Sequence, residues 1–372
     1  MQKPSFLKAT LAVLGLFVLF PLSGNSQPVG NALMMSQTRA SDPKLDPMCL
    51  HTSKGKVLDA AGKQILLCGV NIASLEWSNN GDHIGESVNR AINDWKVNLI
   101  RLPLAQDRWF GKMTNQADGG MAYRALVDKL VDTCAAAHVY IDLDLHWSDC
   151  GKWMNSGGRL GQHDMPDTNS IVFWQDVATR YKNQPNVIFG LYNEPHDVSF
   201  QVWRDGGTAT DKPARWNPSQ GEITYDAVGL QKLYDTVRAA GATNLVTIGG
   251  LDWGYDLSGV LRGYAIKGSS LIYETHPYPN KPDWDKSFGN ISRKYPVYIG
   301  EWGFGRRGTN NLNYANNLMK YAQKHKLSWT AWDLHPFAGP TLIKNWQYEP
   351  TVFGEFVKKQ LAVAAAVRGS NN

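Results

Sequence analysis

The chain has 372 residues, 43% hydrophobic and 19% charged, with 38 basic and 33 acidic side chains and a formal charge of +5. That much apolar material excludes a disordered or fibrous chain, and the small, unclustered positive excess excludes a nucleic-acid binder. Aromatic residues are abundant (14 Trp, 15 Tyr and 12 Phe); such a set serves to fill a core or to stack flat-faced ligands such as sugar rings.

The first element is an address. Lys3 and Lys8 mark a basic start, Ala9 to Phe20 is an apolar run, Pro21 ends it, and Gly24-Asn25-Ser26 supplies small residues at the exit. This is the pattern of a secretory signal peptide. The run is shorter than the ~20 residues that a membrane span needs. Cleavage before Gln27 gives a signal peptide over 1–26 and a chain released to the periplasm or the medium, with no membrane contact after cleavage. Residues 27–48, rich in Pro, Ser and Asn, read as a flexible leader. Cys49, Cys68, Cys134 and Cys150 lack the paired spacing of a zinc site. In an exported chain they are candidates for disulfides, with the pairing left open.

Next, Lys56–Asp59 and Gln64–Leu67 flank a turn around Ala60-Ala61-Gly62, a hairpin signal. Short, nearly continuous apolar runs then recur at 66–72, 97–102, 139–145, 187–192, 245–248, 271–275, 297–299 and 328–332. Strands buried on both faces read this way. Helical periodicity fills 83–95, 121–137, 169–181, 225–240, 313–324 and 350–361, and more weakly 253–265 and 283–294. Eight strands alternating with helices predict an α/β fold, a single (β/α)8 TIM barrel over 49–362 with a small N-terminal β-hairpin, followed by a tail at 363–372. An open doubly wound sheet is the rival, but no glycine-rich nucleotide fingerprint follows the first strand. No appended binding module is expected after the barrel.

Polar residues gather where the strands end: Arg101, His146-Trp147, Asn193-Glu194, His276 and Tyr278, Glu301-Trp302, and Trp332-Asp333. In a parallel barrel those ends share one face, and that face carries the active site. Asn or Asp alone would read as a helix cap; Arg, His, Glu and Trp are poor caps. Glu194 and Glu301 sit on strands four and seven, opposed across the mouth. Two facing carboxylates without a metal cluster suit glycoside hydrolysis, one protonated as acid and one ionised as nucleophile. The expectation is that Arg101 and His276 lie nearer Glu301 and keep it charged. Asn193 is placed to meet the sugar 2-hydroxyl, Tyr278 to donate to Glu301, and Trp332 to floor the reacting subsite. Trp77, Trp147 and Trp302 are candidates for further subsites.

Arg101, His146, Asn193-Glu194-Pro195, His276-x-Tyr278, Glu301 and Trp332, in this order along residues 50–360, resemble the invariant set of glycoside hydrolase family 5, the cellulase family. The resemblance implies a secreted, endo-acting, retaining enzyme, with Glu194 as acid/base, Glu301 as nucleophile and their carboxyl groups ~5 Å apart. It makes β-1,4-glucan the first substrate, with β-mannan and then xyloglucan behind it; one hydroxyl contact discriminates by only ~1–3 kcal/mol. The insert at 205–221 and the other loops set that choice. No cofactor and no metal are called for, and a monomer is expected. A metal reading of Asp142, Asp144 and His146 fails because strand one ends in Asn71, without His. A non-catalytic sugar-binding barrel would have no need of both Glu194 and Glu301, and a serine hydrolase lacks its Gly-x-Ser-x-Gly.

Overall fold

The computed structural model describes residues 46–113, 115–150, 160–212, 221–305 and 311–369. The expected signal peptide and residues 27–45 of the leader lie outside them, as does the side chain of Cys150. Eight parallel strands close into a barrel: β1 (Cys68–Asn71), β2 (Leu99–Ala105), β3 (Tyr140–Trp147), β4 (Val187–Gly190), β5 (Val246–Gly249), β6 (Leu271–Thr275), β7 (Val297–Ile299) and β8 (Ser328–Ala331). Neighbours pair in sequence order, and β8 returns to β1. Each strand lies where its apolar run falls in the sequence.

Helices α1 (Ile84–Asn93), α2 (Met121–Ala136), α3 (Thr168–Tyr181), α4 (Leu230–Ala239), α5 (Leu312–His325) and α6 (Val352–Gly369) follow β1, β2, β3, β4, β7 and β8. Their starts are partly written in the sequence. Asp167 accepts from the amides of Asn169 and Ser170 at the head of α3, and Asn311 accepts from Tyr314 at the head of α5, each satisfying an orphan donor of the first turn. The two weak helical stretches are irregular: 3₁₀ turns at Ser258–Arg262 and Ile291–Arg293, and a π turn at Asp285–Gly289.

Four expectations need correction. The N-terminal ribbon pairs His51–Ser53 with Lys56–Leu58, one turn earlier than expected. Lys54 and Gly55 both take positive φ, 48° and 74°, as a two-residue hairpin turn requires. The expected turn survives as a single bridge, Leu58 to Gln64, braced by Asp59. Met48, assigned to the leader, is buried beneath the barrel with Leu50 and Val57. Residues Ile223–Ala227 are not the start of a helix. They form a strand against Gly207–Asp211, because Tyr225 and Ala227 fall on one alternating face, and the Tyr225 hydroxyl accepts from the Met165 amide at 2.8 Å. Finally, the supposed tail continues α6 to Gly369: its Ala-rich sequence favours helix, and Arg368 Nη2 donates to the Lys96 carbonyl at 2.7 Å.

Inside the barrel, side chains two apart on a strand share a face. β3 therefore directs Tyr140, Asp142, Asp144 and His146 along one line, and β6 directs Ile272 and Glu274 along another. At the N-terminal end, Leu67, Leu99, Tyr140, Ile188, Leu245, Ile272 and Tyr298 form a separate apolar cluster closed by the ribbon. Cys68 and Cys134 are free buried thiols, and burial pushes each up to about 12.

Candidate active site

The C-terminal end of the barrel is charged to its centre. Arg101 is fully buried. Its Nη1 donates to Glu301 Oε1 at 2.8 Å and to Asn71 Oδ1 at 3.1 Å. Its Nη2 donates to Asn193 Oδ1 at 2.9 Å and lies 3.1 Å from Asp144, while Nε sits 2.9 Å from Glu274. From β2, one guanidinium thus orients residues of β1, β3 and β6 and of the turns after β4 and β7, which its planar fork of donors allows.

Glu301 receives Tyr278 Oη–H on its second oxygen, at 2.9 Å. Both oxygens therefore have a fixed donor, one charged and one phenolic, which hold the carboxylate in place. Glu194 is held differently. Its Oε1 lies 3.0 Å from His276 Nδ1, whereas Glu301 is 3.8 Å from that atom. The expectation that His276 sits nearer Glu301 is overturned: the imidazole leans to Glu194 because its other nitrogen is tied to Glu274 Oε1 at 3.0 Å. Burial opposes a charge on His276, but Glu301, Glu194 and Glu274 outweigh it and push its pKa to about 10. Burial raises Glu194, but the His276 hydrogen bond together with the charges of His276, His146 and His196 holds it below the ordinary carboxylate range. Glu194 and His276 form a hydrogen-bonded pair.

Glu194 has φ +50°, a left-handed conformation that costs a non-glycine residue ~1–2 kcal/mol. Two neighbours brace the turn: Gln162 Nε2 donates to the Glu194 carbonyl at 3.0 Å, and His196 Nδ1 reaches it at 2.8 Å. One ligating atom from each of Glu194, Glu301 and His276 lies within 4.8 Å of the others.

The floor beside the two carboxylates is built from stacked rings. His146 lies 2.7 Å from Asp144, which sets its orientation, and it stacks on Trp332 with centroids 5.2 Å apart at 15°. Trp332 Nε1 donates to the Ala338 carbonyl at 3.1 Å. Above this floor opens a cleft of about 1010 Å³, lined by His146, Glu194, Trp253, Tyr278, Glu301 and Trp332, with Pro279–Lys281, Gly303–Gly305 and Gly339-Pro340 at the rim. That volume stands at the top of the ~300–1,000 Å³ range of small-molecule sites.

Residues 58–338 match the profile of the cellulase family, glycosyl hydrolase family 5. The chain belongs to this family. It is 25% identical to an endoglucanase of Paenibacillus polymyxa, over 84% of this chain and 88% of the relative, and 24% identical to endoglucanase N of Pectobacterium atrosepticum, over 87% and 67%. Among solved structures, a β-glucanase from Saccharophagus degradans in complex with cellotetraose aligns with a TM-score of 0.67 at 24% identity, covering 85% of this chain and 94% of that one. The catalytic domain of an endoglucanase from Thermobifida fusca aligns at 0.62 and 17%, covering 86% and 99%; these likenesses show the shared barrel.

For this glycoside hydrolase, the structure brings together Arg101, His146, Asn193, Glu194, His276, Tyr278, Glu301 and Trp332. Trp77, in the loop after β1, and Trp147, at the end of β3, stand half-buried with ring centroids 6.3 Å apart. Trp302 is removed from the substrate-contact set. It is fully buried and packs edge-on against Trp329 and Phe353 at 5.9 and 5.2 Å, because the residue after Glu301 points outward to α6. Asp142 stays inside the barrel, where burial and Glu274 push its carboxyl well above the ordinary range.

Three contributors escaped the sequence reading. Glu274 anchors both Arg101 and His276; its place two residues before His276 on one strand was the available signal. Asp144 orients His146 by the same rule. Trp253 gave no signal, since it rides on a loop with φ +56° at Asp252 and +62° at Trp253. It is half-exposed, stacks on His196 at 3.5 Å, and is braced by Lys281 Nζ on the Asp252 carbonyl at 2.7 Å.

Proposed function

We propose that this chain is a secreted, retaining endo-β-1,4-glucanase that acts as a monomer. The observation that carries the reading is the pair of carboxylates, with approaching atoms inside 4.8 Å and unequal partners. Inverting enzymes need ~6.5–9.5 Å between the groups to seat a water; retaining enzymes use ~5–5.5 Å.

A β-linked chain lies across Trp332 with its anomeric carbon above Glu301. Glu194 gives its proton to the glycosidic oxygen as the bond to the leaving sugar breaks, drawing that proton from the pair it forms with His276. Glu301 attacks the anomeric carbon and forms a glycosyl ester. The leaving chain departs past Trp253. Water then enters, Glu194 takes its proton, and the hydroxide oxygen attacks the same carbon and frees Glu301. Arg101 and Tyr278 hold Glu301 in line throughout. Asn193 Oδ1 is committed to Arg101, and its Nδ2 donates to Gln162 Oε1 at 3.2 Å and lies 3.4 Å from His146 Nε2; a sugar 2-hydroxyl would take one of those two places. The endoglucanase names of the two relatives and the cellotetraose complex of the neighbouring structure favour a β-1,4-glucan as substrate. The basic start and apolar run at 1–26 support export.

The test is reducing-sugar release from carboxymethylcellulose, barley β-glucan, mannan, xyloglucan and xylan, beside the Glu301→Gln variant. Activity on the two glucans, reduced at least ~10⁴-fold in the variant, is expected. Activity on mannan alone would overturn the substrate, and an α-configured first product by NMR would overturn retention.

A further inference from the structure

The hairpin insert between β4 and β5 buries a carboxylate that the reaction does not use. In the pair Gly207–Asp211 and Ile223–Ala227, Ala209 and Asp211 fall on the inward face, and Asp211 is fully buried. A buried charge persists only where its partners offset the desolvation. Asp211 directs its two oxygens to consecutive residues of the segment between β3 and α3. Its Oδ2 faces His163 Nδ1, and its Oδ1 accepts from the Asp164 amide at 2.9 Å. Tyr225, from the second strand of the hairpin, clamps the same segment. Its ring lies 4.4 Å from that of His163, and its hydroxyl donates to the Met165 carbonyl at 2.9 Å.

From there the contacts run to Glu194. Asp164 holds His196 twice: its carbonyl accepts from the His196 amide at 3.0 Å, and its Oδ1 lies 3.0 Å from His196 Nε2. His196 Nδ1 in turn donates to the Glu194 carbonyl. Gln162, next to His163, donates to the same carbonyl and to that of Asn193. Both braces of the left-handed turn at Glu194 therefore hang on the segment that Asp211 pins. Each nitrogen of His196 faces an oxygen that only accepts, so the ring needs both of its N–H groups and is an imidazolium. It is buried, and Trp253 covers its face, a favourable place for a cation. Asp197 brings a third ligand atom within 4.8 Å of Asp164 and His196, but both His196 nitrogens are committed and no lone pair is left for a metal.

We propose that Asp211 is a positioning residue for the catalytic acid: through Asp164 and His196, the hairpin insert fixes the turn from which the Glu194 carboxyl meets the glycosidic oxygen. The proposal rests on the reading of Glu194 as acid/base, and it gives the insert a part in proton transfer in place of the choice of sugar expected from its sequence.

The experiment measures kcat/KM on aryl cellobiosides, from dinitrophenyl, which leaves without a proton, to phenyl, which needs one. Wild type, Asp211→Asn, His196→Asn and His196→Gln are compared, with Glu194→Ala as the reference. A general acid contributes about 10²–10⁴-fold. A misaimed one is expected to cost Asp211→Asn about tenfold on the phenyl glycoside and less than about twofold on the dinitrophenyl one. Loss of the Trp253 stack alone would change both glycosides equally. His196→Asn places an amide N–H where Nδ1 stood and should retain most of the phenyl activity; His196→Gln reaches only Asp164 and should match Asp211→Asn. The His196 pair keeps the test independent of the folding of Asp211→Asn. Equal losses on both glycosides, or an unchanged slope with a shifted ratio of barley β-glucan to mannan hydrolysis, would overturn the proposal. A Glu194→Ala slope no steeper than that of wild type would overturn the acid reading, and the proposal with it. A steep slope there, beside flat ones in Asp211→Asn and His196→Gln, would overturn the proposal alone. If the enzyme cleaves another sugar, the aryl series of that sugar reads the same slope.

Discussion

At one end of the barrel, Leu67, Leu99, Ile188 and Ile272 meet Leu50 and Val57 of the ribbon in an apolar plug. At the other, Arg101, Glu274, His276, Glu194 and Glu301 share a charged network. The same strands build both, and on β6 a single step of two residues crosses from Ile272 to Glu274. Burying charges is expensive even when they are paired, and hydrophobic replacement of buried ion pairs is often neutral or stabilising. The mouth therefore tends to cost stability and the plug to supply it, so substitutions at the two ends should separate activity from stability.

The sharpest way to break that contrast is Glu194→Ala. On polymers, whose leaving group needs a proton, kcat is expected to fall about 10²–10⁴-fold. On an aryl glycoside with an activated leaving group the loss should be far smaller. Equal losses on both substrates would remove Glu194 from the acid role.

Gly300→Ala comes next. A Cβ there would lie 1.8 Å from Glu274 Oε1, so Glu274 must leave Arg101 and His276, although neither catalytic carboxylate is touched. Displacement of positioning groups by about 1 Å costs about 10²-fold, and that is the expected loss in kcat. Full activity would show that the Glu274 contacts do not position the site. At the other end, Ile272→Ala removes a buried side chain from the plug, at a cost of ~2–5 kcal/mol, and should lower the melting temperature by roughly 5–10 °C. At temperatures where the variant is folded, kcat should equal that of wild type.

The contrast also explains what the sequence could be made to tell. Strand positions were legible because burial on both faces leaves continuous apolar runs, and the eight converging site residues because charge at a strand end has no other ready use. The ribbon slipped by one turn because Lys54-Gly55 and Ala60-Ala61-Gly62 are both turn signals, and only pairing distinguishes them. Trp302 looked like Trp332, since both follow a strand end; which face each takes depends on one residue of phase. The partner of His276 could not be read at all, because Glu194 and Glu301 differ in distance from it by less than 1 Å, a difference set by the side chain of Glu274.

The smallest effect is one of slope. Burial and charge move two groups of the network in opposite senses: His276 rises from 6.5 to about 10, and Glu274 falls, against its burial, from 4.5 to about 2 under the influence of Arg101. For His276 the folded value lies above the unfolded one. Its contribution to stability is complete below pH 6.5 and is lost as pH rises through about 10. For Glu274 the sign reverses: its contribution is complete above pH 4.5 and is lost as pH falls through about 2. In Glu274→Gln, His276 loses one of the carboxylates that hold it charged, so its folded pKa drops toward 6.5 and less stability remains to be lost at alkaline pH. Melting temperature measured from pH 6 to pH 9.5 should therefore fall less steeply in Glu274→Gln than in wild type, by about 2–3 °C across that range. The Ile272→Ala curve, altered only in the plug, should run parallel to wild type at lower temperature. If Glu274→Gln also ran parallel, the alkaline loss would come from groups outside the network, and the mouth would not carry the pH dependence assigned to it.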